Sequence, residues 1–398
     1  MREPASDFVI VGGGVTGLSV ALHLKELGVP RVRLLERHHV GSGQSGHAAG
    51  IVRALVGHTS VASMLMHSLR FFTGFNEHYG EELVLHRAGY LLLSESDQSD
   101  NLDQVIQKAG EAGCQVHRVS AAEAAELQPG LRRDSGDIYA FEPAGIHIDP
   151  MLAVQTFARV ARRLGVEVGE GCEVYSILKT GSKIHGVETP QGRMEAGNVL
   201  VATAAWGSAQ LAKLGIELPV YPHRAEMAFF ALWPESPWHL IRILSDARTM
   251  LYLRPEGVHQ MFVGWREGDA ILSIQDFVPA DPDNYWQSAN YGKLDQMRRR
   301  LAALLPFMSD GFVHRTYACV YDYTPDGMPV LDRAESLKGL YFSLGYSGGG
   351  FSLSPWVGSS MAQFMVEGHK SPEMDLLRLN RFKEGKLLRW GNVRKGLH

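Results

Sequence analysis

Cysteine is scarce in this sequence: three residues, Cys114, Cys172 and Cys319, are scattered through 398. None forms a CxxC pair, so neither a disulfide framework nor a cysteine-built zinc site is expected, and a reducing cytoplasm fits. Long apolar runs are lacking as well. No stretch approaches the roughly 18 residues of a membrane helix, and residues 1–6 are too polar and too few for a secretory leader, so no transmembrane segment is expected. Basic residues are not in excess. The 39 Lys and Arg stand against 43 Asp and Glu, a net charge of −4 that argues against nucleic acid as a partner. Metal-ligand spacing is missing too: His38 and His39 are adjacent, so they lack the same-face spacing of a helical metal site, and a surface loop is their expected setting. No serine–histidine–acid set can be read, and no metal is expected.

Glycine is in surplus, 43 of 398, roughly 11% against the usual 7% or so. That suits a backbone lying against a ligand at several places. The strongest case is the first forty residues. An apolar run over 7–11 leads into Gly12-Gly13-Gly14-Val15-Thr16-Gly17 and then a helix-like stretch over 18–27. Strand, glycine turn and helix are the parts of a dinucleotide site. Gly12 permits the sharp turn, Gly14 lets backbone approach a pyrophosphate, and Gly17 lets the helix pack close to the strand. The helix N-terminus adds free N–H groups and a partial positive charge. A second strand over 31–35 ends in Glu36, 19 positions beyond Gly17, near the expected spacing of roughly 20. Its carboxylate suits the two hydroxyls of an adenosine ribose.

Residues 41–53 are small, glycine-rich and permissive, as expected of a loop that wraps a ligand. Helical spacing of Met64, Leu65, Leu69, Phe72 and Phe75 predicts a helix over 60–79, and strands are expected at 83–85 and 89–93, then a helix over 102–113. Ser120-Ala121-Ala122-Glu123 matches a capping box for a short helix to Leu127. Asp149-Pro150 opens a helix to Leu164. Strands follow at 166–168, 172–178, 184–188 and 197–202, the last emptying into Thr203-Ala204-Ala205-Trp206-Gly207, which reads as a second approach to the dinucleotide. Alternating strands between 219 and 323, with one helix over 285–304, predict an antiparallel sheet. The chain then returns through 339–344 to Gly345-Tyr346-Ser347-Gly348-Gly349-Gly350-Phe351 and a helix over 354–368. Roughly two or three domains are expected from the length.

Taken together, the glycine fingerprint with Leu34-Leu35-Glu36-Arg37, the Ala202 to Trp206 element with Leu218-Pro219-Val220, and the terminal glycine segment resemble the D-amino-acid oxidase superfamily of flavoproteins. Within it the chain is similar to the branch holding sarcosine oxidase, glycine oxidase, dimethylglycine dehydrogenase and proline dehydrogenase subunits. The resemblance implies FAD and an α/β (α+β) two-domain fold, with a Rossmann-type FAD-binding domain interleaved with an antiparallel-sheet substrate domain. The expected division is 1–57, 146–218 and 325–398 for the first and 58–145 with 219–324 for the second. The implied reaction removes hydride from a carbon next to an amine to give an imine, with oxygen or another electron acceptor reoxidising the flavin. Related folds oxidise 2-hydroxy acids, and a flavin-binding subunit or assembly factor of a larger complex is a further reading.

Residue by residue, the resemblance places the cofactor against Gly12, Gly14, Val15, Thr16, Gly17, Glu36, Arg37, Ser45, Val174, Ala202, Thr203, Trp206, Gly345, Gly348, Gly349, Gly350 and Phe351. His47-Ala48-Ala49-Gly50 is similar to a segment whose histidine bonds covalently to the flavin 8-methyl group. Cys319 resembles the alternative attachment, a cysteine on a late strand. Arg53 resembles an arginine that holds a substrate carboxylate, and Arg266 sits near where related oxidases keep a lysine that promotes oxygen reduction. Ser352 departs from the lysine those oxidases carry after the terminal phenylalanine, which puts simple sarcosine oxidation in doubt. Tyr252, Arg254, His259, Tyr321 and Tyr323 belong to the expected roof over the flavin, with Tyr321 as the catalytic candidate.

Overall fold

The strand Ser6–Val11 is buried over Phe8–Val11 on both faces, as a strand central to a parallel sheet must be. In the computed structural model, which describes residues 6–265 and 281–388, it pairs in parallel with Val32–Leu35 on one side and Gly192–Val201 on the other. Glu167–Gly169 extends the sheet beyond Val32–Leu35, and Leu340–Leu344 then Val330–Arg333 extend it beyond Gly192–Val201. A hairpin of Ser176–Thr180 and Lys183–Thr189 hangs from Gly192–Val201 to complete eight strands. Neighbouring strands therefore come from positions as far apart as Ser6 and Ala196.

Helices cover this sheet. Val15–Glu26 starts earlier than expected, at the glycine turn itself, with Leu18 N–H bonded to the Gly14 carbonyl. It crosses Gly350–Glu367 so closely that a Cβ on Gly358 would fall 2.1 Å from Ser19 Oγ. The latter helix also begins before the expected Ser354, at Gly350, so the end of the glycine segment opens its first turn. Pro355 sits inside it and cannot donate to the Phe351 carbonyl. Ser354 Oγ donates to that carbonyl instead, at 2.9 Å. Thr59–Tyr79 and Pro150–Arg163 supply Phe72, Phe75 and Phe157, which stack with one another and with Phe351.

A second eight-stranded sheet runs in the order Phe312–Tyr323, Tyr221–Ala231, Gln260–Trp265, Leu251–Glu256, Ile243–Asp246, Tyr90–Glu95, Asp137–Glu142, His117–Val119. Every pair is antiparallel except one. Ile243–Asp246 lies parallel to Tyr90–Glu95, which joins strands from before and after the first sheet's middle segment. No hairpin links those two strands, so nothing forces the antiparallel sense. Ile51–Val52 and Ile146–His147 form a separate two-stranded antiparallel ladder.

Three further expected elements differ. Residues 83–85 form no strand; pairing begins at His86, as a bridge to His147. Residues 172–175 run as irregular chain past the end of the first sheet, with Cys172 N–H bonded to the Glu36 carbonyl, and the strand starts only at Ser176. The helix expected from 285 starts at Tyr291, where the Asn290 side chain accepts from Gly292 N–H.

Candidate active site

The ends of Ser6–Val11, Val32–Leu35 and Gly192–Val201 all empty toward one cavity of about 580 Å³, closed on the far side by Cys319, Val320, Tyr321 and Asp322 of the long strand Phe312–Tyr323. One end is built from the glycine turn. Gly12 has φ +113°, and a Cβ there would come within 2.4 Å of the Ala202 carbonyl, so only glycine allows the two strand ends to approach. Gly17 faces the turn in the same way, its Cβ position 2.2 Å from Gly12 O. Ser45 Oγ accepts from Val15 N–H at 2.9 Å, ordering the helix start. Glu36 reaches back to accept from Gly13 N–H at 2.7 Å and from His38 N–H at 2.9 Å. Each of its oxygens keeps a second lone pair for a ligand hydroxyl.

Beyond Glu36 the cavity is closed by a segment that the sequence did not single out. Asp283 Oδ1 accepts from both Arg37 Nη1 and Trp206 Nε1, each at 2.8 Å, and the Arg37 guanidinium lies 4.9 Å over the Trp206 ring. Pro282, Tyr285 and Gln287 line the same wall.

At the other end Cys319 and Tyr321 line the cavity, and behind them Tyr252 and Tyr317, both half-buried, pack with Tyr321 around Met227, Phe229, Phe262 and Cys319. Burial pushes the phenols of Tyr317 and Tyr321 well above their usual range, so both stay protonated. Beneath them runs the loop over 44–50, held by the second sheet: Tyr317 donates to the His47 carbonyl at 2.8 Å, Arg254 Nε donates to the Ala49 carbonyl at 2.6 Å, and Gln44 donates to the Val320 carbonyl. On the opposite side stands the segment over 345–350. Ser347 has φ +51° and Gly348 φ +88°, and a Cβ on Gly348 would sit 3.1 Å from the Tyr321 ring. No side chain caps Gly349, so the helix Gly350–Glu367 presents free N–H groups.

The match that decides the family covers residues 7–364, the description being FAD dependent oxidoreductase, DAO. This chain belongs to that family. Among its relatives, 4-methylaminobutanoate oxidase (formaldehyde-forming) of Paenarthrobacter nicotinovorans is 25% identical over 380 residues, 94% of this chain and 45% of that protein. Sarcosine oxidase subunit beta of Rhizobium meliloti (strain 1021) is 26% identical over 402 residues, 97% of this chain and 90% of that one. The chain thus spans less than half of the first relative and nearly all of the second. Among solved structures, L-proline dehydrogenase from P. horikoshii superposes with a TM-score of 0.88 at 24% identity, covering 97% of this chain and 100% of that one. The DAO family's mixed α/β, two-domain fold is the fold of this chain.

The cavity fits the family's FAD: a glycine turn without side chains, an acid at the second strand's end, and a wall of free amides. Of the expected contacts, Gly12, Gly14, Val15, Thr16, Glu36, Arg37, Ser45, Ala48, Val174, Ala202, Thr203, Trp206, Cys319, Tyr321, Gly348, Gly350 and Phe351 line it. Gly17, Gly345 and Gly349 stand behind the lining and shape it. His47, Ala49 and Gly50 lie in the loop below without lining the cavity. Cys319 lines it, and burial pushes its thiol up to about 12. Arg53 does not line it: its guanidinium donates to the Leu55 carbonyl, lies 4.7 Å over the Tyr90 ring, and faces the buried Glu142, whose carboxylate accepts from Ala54 and Leu55 N–H. His259 falls in the turn before Gln260–Trp265, away from the lining. Arg266 lies outside the described residues. His38, Cys172, Glu173 and Tyr175 line the cavity beyond the expected contacts, the last three with Val174 because the chain runs irregularly there and the strand starts only at Ser176.

Proposed function

We propose that this chain oxidises a secondary or tertiary amine, or an amino acid, at the carbon beside nitrogen, using FAD held in the cavity. The observation that carries the reading is the pairing of a nucleotide-shaped glycine end with Cys319 and Tyr321 on the facing wall, backed by the cluster of Tyr252, Tyr317, Phe229 and Phe262. FAD supplies the two-electron acceptor; the chain supplies placement. Protonated tyrosines can donate to a substrate carboxylate or accept from an amine, and the Gly350–Glu367 N-terminus stabilises negative charge arising at its end of the cavity. We assign residues 58–145 and 219–324 to the substrate side and 1–57, 146–218 and 325–398 to the FAD side. For attachment, His47 is favoured over Cys319. Its Nδ1 meets the Gly43 carbonyl at 2.9 Å, which as an acceptor fixes the proton there and leaves the Nε2 lone pair free, whereas the Cys319 thiol stays protonated at neutral pH.

The test is anaerobic reduction of the purified protein by sarcosine, dimethylglycine, proline, D- and L-amino acids and 2-hydroxy acids. Bleaching of the flavin band by an amine, faster as pH rises and the amine loses its proton, is the expected outcome. Bleaching only by 2-hydroxy acids refutes the amine reading. Admitting air then distinguishes oxygen from another acceptor. Acid precipitation reads the attachment: flavin should stay with the pellet in the native protein and in Cys319→Ser, and move to the supernatant in His47→Ala.

The 90% coverage of a protein named as a subunit favours a second reading, that the chain works in an assembly with partner subunits. Its signature is FAD binding with negligible bleaching by any substrate, recovered on adding the co-purifying chains.

A further inference from the structure

Asp322 ends the cavity wall begun by Cys319, and its polar atoms can be followed one at a time. Its Oδ2 accepts from Gly345 N–H at 2.7 Å, and its main-chain carbonyl accepts from Ser347 N–H at 3.1 Å, so it anchors the terminal glycine segment twice. Its Oδ1 is buried and has no hydrogen-bond partner among the described residues, although the residue is only 1% exposed and lines the cavity. It has no ion-pair partner among them either. A buried carboxylate oxygen without a donor is costly, so such an atom on a ligand-binding wall is to be expected where the ligand brings the donor. Burial raises the acid to about 6 against the backbone N–H groups of Gly345, Tyr346 and Asp322 itself, which favour the charged form, and at pH 8 it is ionised and purely accepting.

We propose that Asp322 is a positioning residue for the cofactor, its Oδ1 accepting a hydrogen bond from an O–H or N–H donor in the ribityl–pyrimidine part of bound FAD. This rests on the FAD reading above. The donors available there are the ribityl hydroxyls and the N3–H of the pyrimidine ring. Asp322 thereby ties the cofactor to the same glycine segment whose amides it holds with Oδ2. The neighbouring Tyr346 and Ser343 hydroxyls, which also line the cavity, are bonded to each other and do not compete for Oδ1.

Asp322→Asn separates the two duties of the side chain. Its carbonyl oxygen can still accept from Gly345 N–H, while the cavity-facing atom becomes a donor. The experiment titrates apoprotein at pH 8 with FAD, N3-methyl-FAD and 2′-deoxyribityl-FAD, in a His47→Ala, Cys319→Ala background so that binding is reversible. The wild-type side chain should bind one analogue about tenfold more weakly than FAD, and Asp322→Asn should shrink that difference to about twofold or less. Which analogue is penalised tells the hydroxyl from the N3–H. Ser347→Ala, which disturbs the segment but not the cavity-facing atom, should keep the full difference. Equal affinity of the wild-type side chain for FAD and both analogues overturns the proposal without any variant, and so does an unchanged penalty in Asp322→Asn. If the background protein does not take up FAD, sulfite titration of the native holoprotein decides. The adduct carries negative charge, so replacing a facing anion by Asn should tighten sulfite binding about tenfold, and unchanged binding overturns the proposal. A native protein holding no FAD would remove the functional reading as well; one that holds FAD but oxidises no amine removes only that reading.

Discussion

His147 shows how a single buried ring sets an acid limit. It stacks on His86 with ring centroids 4.6 Å apart, its Nδ1 has no partner among the described residues, and burial, with Arg254 and His86 adding repulsion, pushes it down to about 3. The unfolded chain therefore takes up this proton near pH 6.5 while the folded chain refuses it until about 3. Stability is fully present above 6.5 and falls as pH drops toward 3, by up to roughly 1.4 kcal/mol per pH unit from this group. Asp322 has the opposite sign, since its raised carboxyl is protonated in the folded chain first, and it offsets part of the loss between about 6 and its unfolded value. Urea unfolding at pH 7, 6 and 5 should show a shallower loss in His147→Asn than in the native protein; parallel curves would contradict this. The same scale shows what a sequence can carry. Glu36 was legible because its distance from Gly17 is fixed by strand and helix lengths. Asp283 was not, because its partners Arg37 and Trp206 lie 246 and 77 positions away and no local pattern marks the meeting.

Among the elements, the segment after the last long helix is held by a buried ion pair. Arg381 and Asp326 are both fully buried and bond at 2.7 and 2.9 Å, and the remaining guanidinium donors meet the carbonyls of Leu377, Arg378 and Met328. Asp326 also accepts from Thr324, whose own N–H is bonded to Ser347 Oγ in the glycine segment. Arg381→Ala leaves an unpaired charge behind and should lower stability by about 3–5 kcal/mol. Arg381→Met with Asp326→Leu, which removes both charges, should recover most of it; equal losses in thermal melts of the two variants would contradict the ion-pair account. Helices were legible here where an apolar face repeats, as in Thr59–Tyr79, or where a cap stands in the sequence, as at Ser120. Boundaries failed where glycine or proline sits inside a helix, as in Gly350–Glu367. Periodicity sees side chains, and that helix begins on residues that have none.

At the scale of the molecule, the first sheet's interruption was legible from its recurring strand-and-glycine endings, but the parallel pairing of Ile243–Asp246 with Tyr90–Glu95 was not, since alternation reports which face is covered and not which neighbour is beside it. The strand order carries a consequence for synthesis. Ser6–Val11 is made before its neighbour Gly192–Val201, which follows nearly two hundred residues later, and Leu340–Leu344, with the helix that the glycine segment opens, comes later still. A growing chain stalled before residue 340 would therefore expose an unfinished sheet edge and half a binding pocket. A cavity with both of its ends is therefore available to FAD only after Leu340–Leu344 and the glycine segment behind it have emerged, and until then the edge of Gly192–Val201 lacks its partner.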